Sequence, residues 1–159
     1  MDPQASAELN ALVEHKRWAA LATTNADGTA NVSQVAFARA RPANVLLFHL
    51  STLAKHTRNL LDRPHCSISI SELDDGRMDP QTLARVALTG TIAVVARTDS
   101  RYVRLRDTYL QRLPQAAPRF DFGDFHLLEM DITKGQFVGG FARAFKVNRS
   151  NLTDATSVD

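Results

Sequence analysis

The chain has 159 residues, 44% hydrophobic and 23% charged, which is the size and composition of one ordinary globular domain. At this length folding buries roughly 70% of the unfolded surface, which excludes a disordered chain, a collagen-like repeat and a disulfide-dependent scaffold. Nineteen basic against 17 acidic groups leave a formal charge of +2, and nothing in their arrangement resembles a nucleic-acid tail. Arg outnumbers Lys, 15 to 4, and a guanidinium suits forked contacts with phosphates and carboxylates. Cys66 is alone, so no disulfide closes within the chain and no multi-cysteine metal site exists. A reducing, cytoplasmic location is expected. The N-terminus lacks the basic and apolar regions of a signal peptide, and no apolar run approaches the ~20 residues of a membrane span.

Residues 5–16 read as a short amphipathic helix, with Leu9, Leu12, Val13 and Lys16 on one face. Trp18 to Thr24 is strand-like. Asn25-Ala-Asp-Gly28 is a turn, and Asn31 to Ala38 returns with Ser33, Val35 and Phe37 alternating to one face; together they predict a hairpin. Arg39 to Asn44 is a polar connection and Val45 to Leu50 a buried strand. Ser51 or Thr52 then caps a helix running to about Asp62, which Pro64 stops. His65 to Ser71 is a strand and Leu73 to Pro80 a surface loop. Thr82 to Ala96 gives the longest strand signal, with Val86, Leu88, Ile92 and Val94 on one side. Gly90 interrupts it where a bulge or bend is expected. Thr98 to Ser100 opens a helix carrying Tyr102, Leu105, Tyr109 and Leu113. His126 to Thr133 alternates, with Leu128, Met130 and Ile132 inward. Lys134-Gly135 is read as a turn and Gln136 to Phe141 as the returning strand. The last dozen residues are polar and expected to fray.

About seven strands and three or four helices result. The strands come in hairpin-like pairs rather than alternating with helices, which favours a mainly β, α+β fold: an antiparallel barrel with helices outside. One domain over residues 1–147 and a polar tail over 148–159 are expected.

The segment Ser51-Thr-Leu-Ala-Lys-His-Thr-Arg58 concentrates the chemistry. It places hydroxyls, an amine, an imidazole and a guanidinium where a buried strand meets a helix N-terminus. Such a junction attracts an anion, and Arg58 suits a phosphate. Three further segments are noted: Asn31-Val-Ser-Gln-Val35, the Gly139-Gly140 pair before Phe141, and the aromatic Phe120-Asp-Phe-Gly-Asp-Phe125, expected to form a lid over the barrel. There is no Gly-x-Ser-x-Gly elbow, no His-Glu-x-x-His and no dinucleotide or Walker loop. His65 and Cys66 are adjacent in a strand and point to opposite faces. Redox chemistry would therefore need a bound cofactor.

In order, the Ala-Ala-Leu-Ala-Thr strand, the Asp-Gly turn, His-Thr-Arg-Asn-Leu, Leu-Thr-Gly, Asp-Phe-Gly-Asp-Phe and Val-Gly-Gly-Phe-Ala-Arg-Ala resemble the pyridoxamine 5′-phosphate oxidase-like FMN-binding split barrels. The likeness is greatest to their HugZ/HutZ-type haem-utilisation branch, over about residues 8–147. It implies an antiparallel split β-barrel forming a homodimer, with cofactor at the subunit interface. An ungapped match puts Lys55 and His56 on the FMN phosphate, and a shifted match puts Thr57 and Arg58 there, with Ser51 at the turn. The second strand, Ser33 to Phe37 with Ser33 and Val35 foremost, meets the flavin ring edge, and the oxidase's Arg on that strand falls at Ser33. Haem-degrading relatives use a histidine in a C-terminal extension as axial ligand. No histidine follows His126 in this sequence, so that ligand is expected to be missing; His126 is read as a strand-edge histidine that reaches an iron only if its register turns it inward, and Arg143 as a partner for a propionate. The expectation is an FMN-dependent oxidoreductase acting on a small molecule. The alternatives are a haem-utilisation protein and a ligand-binding barrel without catalysis.

Overall fold

A computed structural model describes residues 1–41, 45–140 and 143–152. Helix α1, Pro3–His15, starts earlier than its apolar periodicity because Asp2 caps it, accepting from Ala5 N at 2.8 Å, and Pro3 pre-sets the first turn. Ala5, Leu9, Leu12 and Val13 are its buried face. Lys16 is not on that face: it is the C-cap. Strands β1, Trp18–Thr24, and β2, Ala30–Ala36, form the expected hairpin, with Gly28 at φ +84° in the turn.

The sheet is antiparallel throughout and reads β2-β1-β5-β6-β7-β4-β3, with β8 also on β7. Its other strands are β3, Ala38–Ala40; β4, Val45–Ser51; β5, His65–Ser71; β6, Arg85–Val94; β7, Phe125–Val138; and β8, Ala144–Val147. Strands β2 and β3 stand at opposite ends of this order, yet one residue, Phe37, joins them. The sheet must therefore curl until its ends meet, as a split barrel does. Eight strands are present among the described residues. Two of them, β3 and β8, are not in the sequence reading, while the two strands read at 126–133 and 136–141 are one, β7; β3 covers the end of the second predicted strand and the start of the polar connection, and residues 42–44 of that connection lie outside the described residues, as does Phe141.

Strand β4 is buried from Val45 to Leu50 because both its faces are covered. Leu46, Phe48 and Leu50 enter the barrel core with Leu21, Val35, Phe37, Leu88 and Met130. Val45 and Leu47 enter a second core beneath α3, Tyr102–Arg112, and the 3-10 helix Pro114–Asp121. Gly90 marks a bulge as expected, but the extra residue is across the ladder: Thr89 pairs with Lys134 and Gly90 with Ile132, leaving Thr133 over. Lys134-Gly135 is not a turn. Strand β7 bends at this bulge and runs on, and β8 supplies the return. Val94 is 44% exposed, and Val95 is buried in its place. The tail is also not frayed where described: Leu152 is buried in the barrel core, and Asn10 Nδ2 donates to the Asn151 carbonyl at 3.2 Å.

Candidate functional site

Helix α2, Lys55–Asp62, follows β4 as expected, but neither Ser51 nor Thr52 caps it. The N-cap is Ala54, with no side-chain bond to the helix. Ser51 instead donates through Oγ to the Asp124 carboxylate and accepts from Leu53 N at 3.1 Å, while Thr52 N donates to the Asp124 carbonyl at 2.8 Å. The Asp-Phe-Gly-Asp-Phe loop thus clamps the turn, and its carboxylate occupies the ground read as a phosphate site. Arg58 turns back as well: its Nη1 donates to the carbonyls of Thr52 at 3.1 Å and Leu53 at 2.6 Å. Thr57 is fully buried with its Oγ1 unpartnered, so it presents no hydroxyl to an outside ligand. Lys55 is exposed. His56 is half-buried, and burial lowers the pKa of its imidazole.

The structure does bring α2 beside β1 and β2. Asn59 is buried and donates through Nδ2 to Thr23 Oγ1 at 3.1 Å and to Asn25 Oδ1 at 3.0 Å. Asn31 Nδ2 extends this network to Ser33 Oγ at 3.3 Å. The His-Thr-Arg-Asn-Leu signature therefore fastens helix to hairpin, and Ser33 is at its margin. Val35 is 2% exposed with its side chain in the barrel core, so only its backbone can reach a ligand.

The aromatic loop is not a lid on the barrel. Phe120 stacks on His49, ring centroids 3.7 Å apart and planes 3° apart, with Phe125 at 5.0 Å and Tyr109 edge-on at 6.0 Å. His49 is buried in this aromatic box with Nδ1 unpartnered. Desolvation, then Arg119, Arg97 and His126, push its pKa down to about 4. Cys66 is inert, 5% exposed, its thiol pushed up to about 12 by burial. Arg143, expected to face a propionate, pairs with Glu8 at 3.4 Å and Asp2 at 3.8 Å. Among the described residues no His, Cys, Asp and Glu group could hold a bare metal ion.

A different region is open. Two clefts of about 500 and 520 Å³ meet where α1 runs into β1, sharing His15, Lys16 and Glu72 as walls. Each lies within the ~300–1,000 Å³ range of cofactor and small-molecule sites. The second adds Arg17, Trp18 and Leu73. Trp18 is 60% and Leu73 79% exposed. The sequence reading missed this region. Its signal is His15-Lys-Arg-Trp18 at the helix-to-strand junction, three polar or charged side chains followed by an indole.

The fold is that of solved neighbours: a general stress protein 26-related protein of the pyridoxinephosphate oxidase family from Clostridium acetobutylicum superposes with TM-score 0.71 at 14% identity, over 96% of this chain and 99% of that one. A haem-binding protein from Mycobacterium smegmatis superposes with TM-score 0.83 at 24% identity, over 96% of this chain but 61% of that one. In sequence, the chain is 29% identical over 156 residues to heme oxygenase HutZ of Vibrio cholerae serotype O1, covering 92% of this chain and 83% of the relative. The described helices include none long and apolar enough to cross a membrane. The family profile of the CREG β-barrel matches residues 3–153, and the chain belongs to that family.

Proposed function

We propose that the protein is a haem-binding, haem-utilisation barrel that works as a homodimer. The observation that carries this reading is the pair of clefts at the α1–β1 junction. They join an exposed indole, two cations and an imidazole, which match the flat apolar ring, the acidic edge and the metal of a haem. The likeness to HutZ over most of both chains supports it. When bound, haem supplies iron-centred redox and oxygen chemistry; the chain's own part is to seat the ring, neutralise its carboxylates and exclude water. Dimerisation is supported by the outer face of β1, β2, β5 and β6. There Ala20, Ala22, Val32, Ser67, Ser69 and Ala87 line a shallow apolar hollow of about 160 Å³, and Val32 is 67% exposed. Ala20 and Ser69 also border the larger cleft, so a second copy on this face would stand over the cleft's edge. A cytoplasmic setting fits the lone, buried Cys66.

One observation favours FMN as a second reading. The first turn of α2 has no side-chain cap, and Lys55 beside it is exposed. Against it stands the Asp124 carboxylate at the same turn. A visible spectrum with haem titration separates the two. The expected result is an intense band near ~400 nm reaching one haem per subunit, on a particle sedimenting at twice 17.5 kDa. A protein that isolates yellow, with absorbance near ~450 nm, and gives no band with haem would reverse the order of the readings.

A further inference from the structure

We propose that His15 would hold the iron of a bound haem, with Lys16 and Arg17 to meet its carboxylates and Trp18 to offer its ring an apolar surface; this rests on the haem reading above.

Of the five histidines, His15 alone lines the two clefts. His49 is closed off by its stack on Phe120. His126, near the start of β7, is half-buried, paired with Leu50 on β4 and outside both clefts. His65 starts β5 opposite Thr91, with Nδ1 3.4 Å from Thr91 Oγ1. His56 is on α2, half-buried, outside both clefts.

His15 is held by its backbone and free at its side chain, as a ligand should be. Arg112 Nη2 donates to its carbonyl, and the next residue, Lys16, donates its N–H to Leu12 O at 3.2 Å. The imidazole itself is exposed, with no hydrogen bond or ion pair among the described residues. It stands at the C-terminal end of α1, where the unsatisfied carbonyls favour positive charge, and a ferric centre is such a charge. Lys16 and Arg17 likewise have no ion pair among the described residues, whereas Arg77, also on the first cleft, is taken by Asp75 at 2.8 Å; Glu72, the acidic wall of both clefts, is held by Ala84 N at 2.8 Å and lies 3.9 Å from Arg77. Two uncompensated cations beside an exposed indole call for a planar, apolar ligand with acidic groups on one edge. Haem meets all three requirements, and His15 lines the same cleft as the two cations and the indole.

The test is haem titration of the full chain followed by absorption and electron paramagnetic resonance, on wild type, His15→Ala, His15→Gln, Lys16→Ala/Arg17→Ala and His126→Ala. The expected result is a histidine-ligated spectrum in wild type and His126→Ala. Both His15 variants should lose it and regain it on adding free imidazole. The double variant should keep the ligation signature but bind about 10- to 100-fold more weakly, as expected for loss of a charge-assisted contact. His15 is exposed, so both variants should retain the wild-type far-ultraviolet dichroism. A wild type that binds haem while His15→Ala keeps its spectrum overturns the ligand assignment and leaves the haem reading standing. A wild type that binds no haem overturns both.

Discussion

His49 offers a direct test of how the second core is built. Its imidazole is 6% exposed, stacked on Phe120 and unpartnered at Nδ1. Burial, reinforced by Arg119, Arg97 and His126, takes its pKa from 6.5 to about 4. The folded protein therefore keeps this ring neutral where the unfolded chain protonates it. Above pH 6.5 both states are neutral and nothing is lost. As the pH falls from 6.5 towards 4 only the unfolded state gains the proton, so stability falls, and below 4 the difference levels off. A shift of that size corresponds to about 3 kcal/mol, approached with a slope of at most ~1.4 kcal/mol per pH unit. Exposed carboxylates held low, such as Asp75 at about 2, begin to cost stability as the unfolded chain protonates near 3.8, but they do so equally in wild type and variant and cancel in the comparison. The assay is urea unfolding at fixed protein concentration between pH 7.5 and 4, comparing wild type with His49→Phe, which keeps the stack on Phe120. The wild-type curve should drop relative to the variant by about 3 kcal/mol across the window. Parallel curves would show that the aromatic box does not hold the ring neutral, and the reasoning would fail.

Two further substitutions probe the barrel itself. Gly90→Ala would place a Cβ 2.1 Å from the Asp131 carbonyl oxygen, a backbone atom. The bulge must open, at a cost of about 3 kcal/mol or more, which calorimetry should read as a melting point about 6–12 °C lower; an unchanged melting point would mean that the bulge yields freely. Thr57→Val removes a buried, unpartnered hydroxyl while keeping its shape, so unfolding should show a change between zero and about 1 kcal/mol of added stability. A clear loss of stability would reveal a partner for Oγ1.

Local chemistry alone determined most elements of this protein. The Asp-Gly hairpin, the apolar run of β4, the amphipathic face of α1 and the special role of Gly90 follow from turn conformation and from periods of 2 and 3.6 residues, which act over a few neighbours. Anything depending on a distant strand was decided by the tertiary structure. Lys134-Gly135 has turn composition, yet pairing with Thr89 and Leu88 of β6 keeps it extended. Ser51 has the composition of a cap, but Asp124, 73 positions away, takes its hydroxyl. Thr57 and Arg58 sit in a promising anion motif, and packing turns one inward while carbonyls within the turn claim the other. Conversely, His15, Lys16, Arg17 and Trp18 carry no recognisable spacing. They become a candidate site because the curled sheet and the 72–84 segment leave open clefts around them. A side chain's type is local information. Whether it is free to bind depends on what the fold brings beside it, and in an antiparallel barrel those neighbours come from far along the chain.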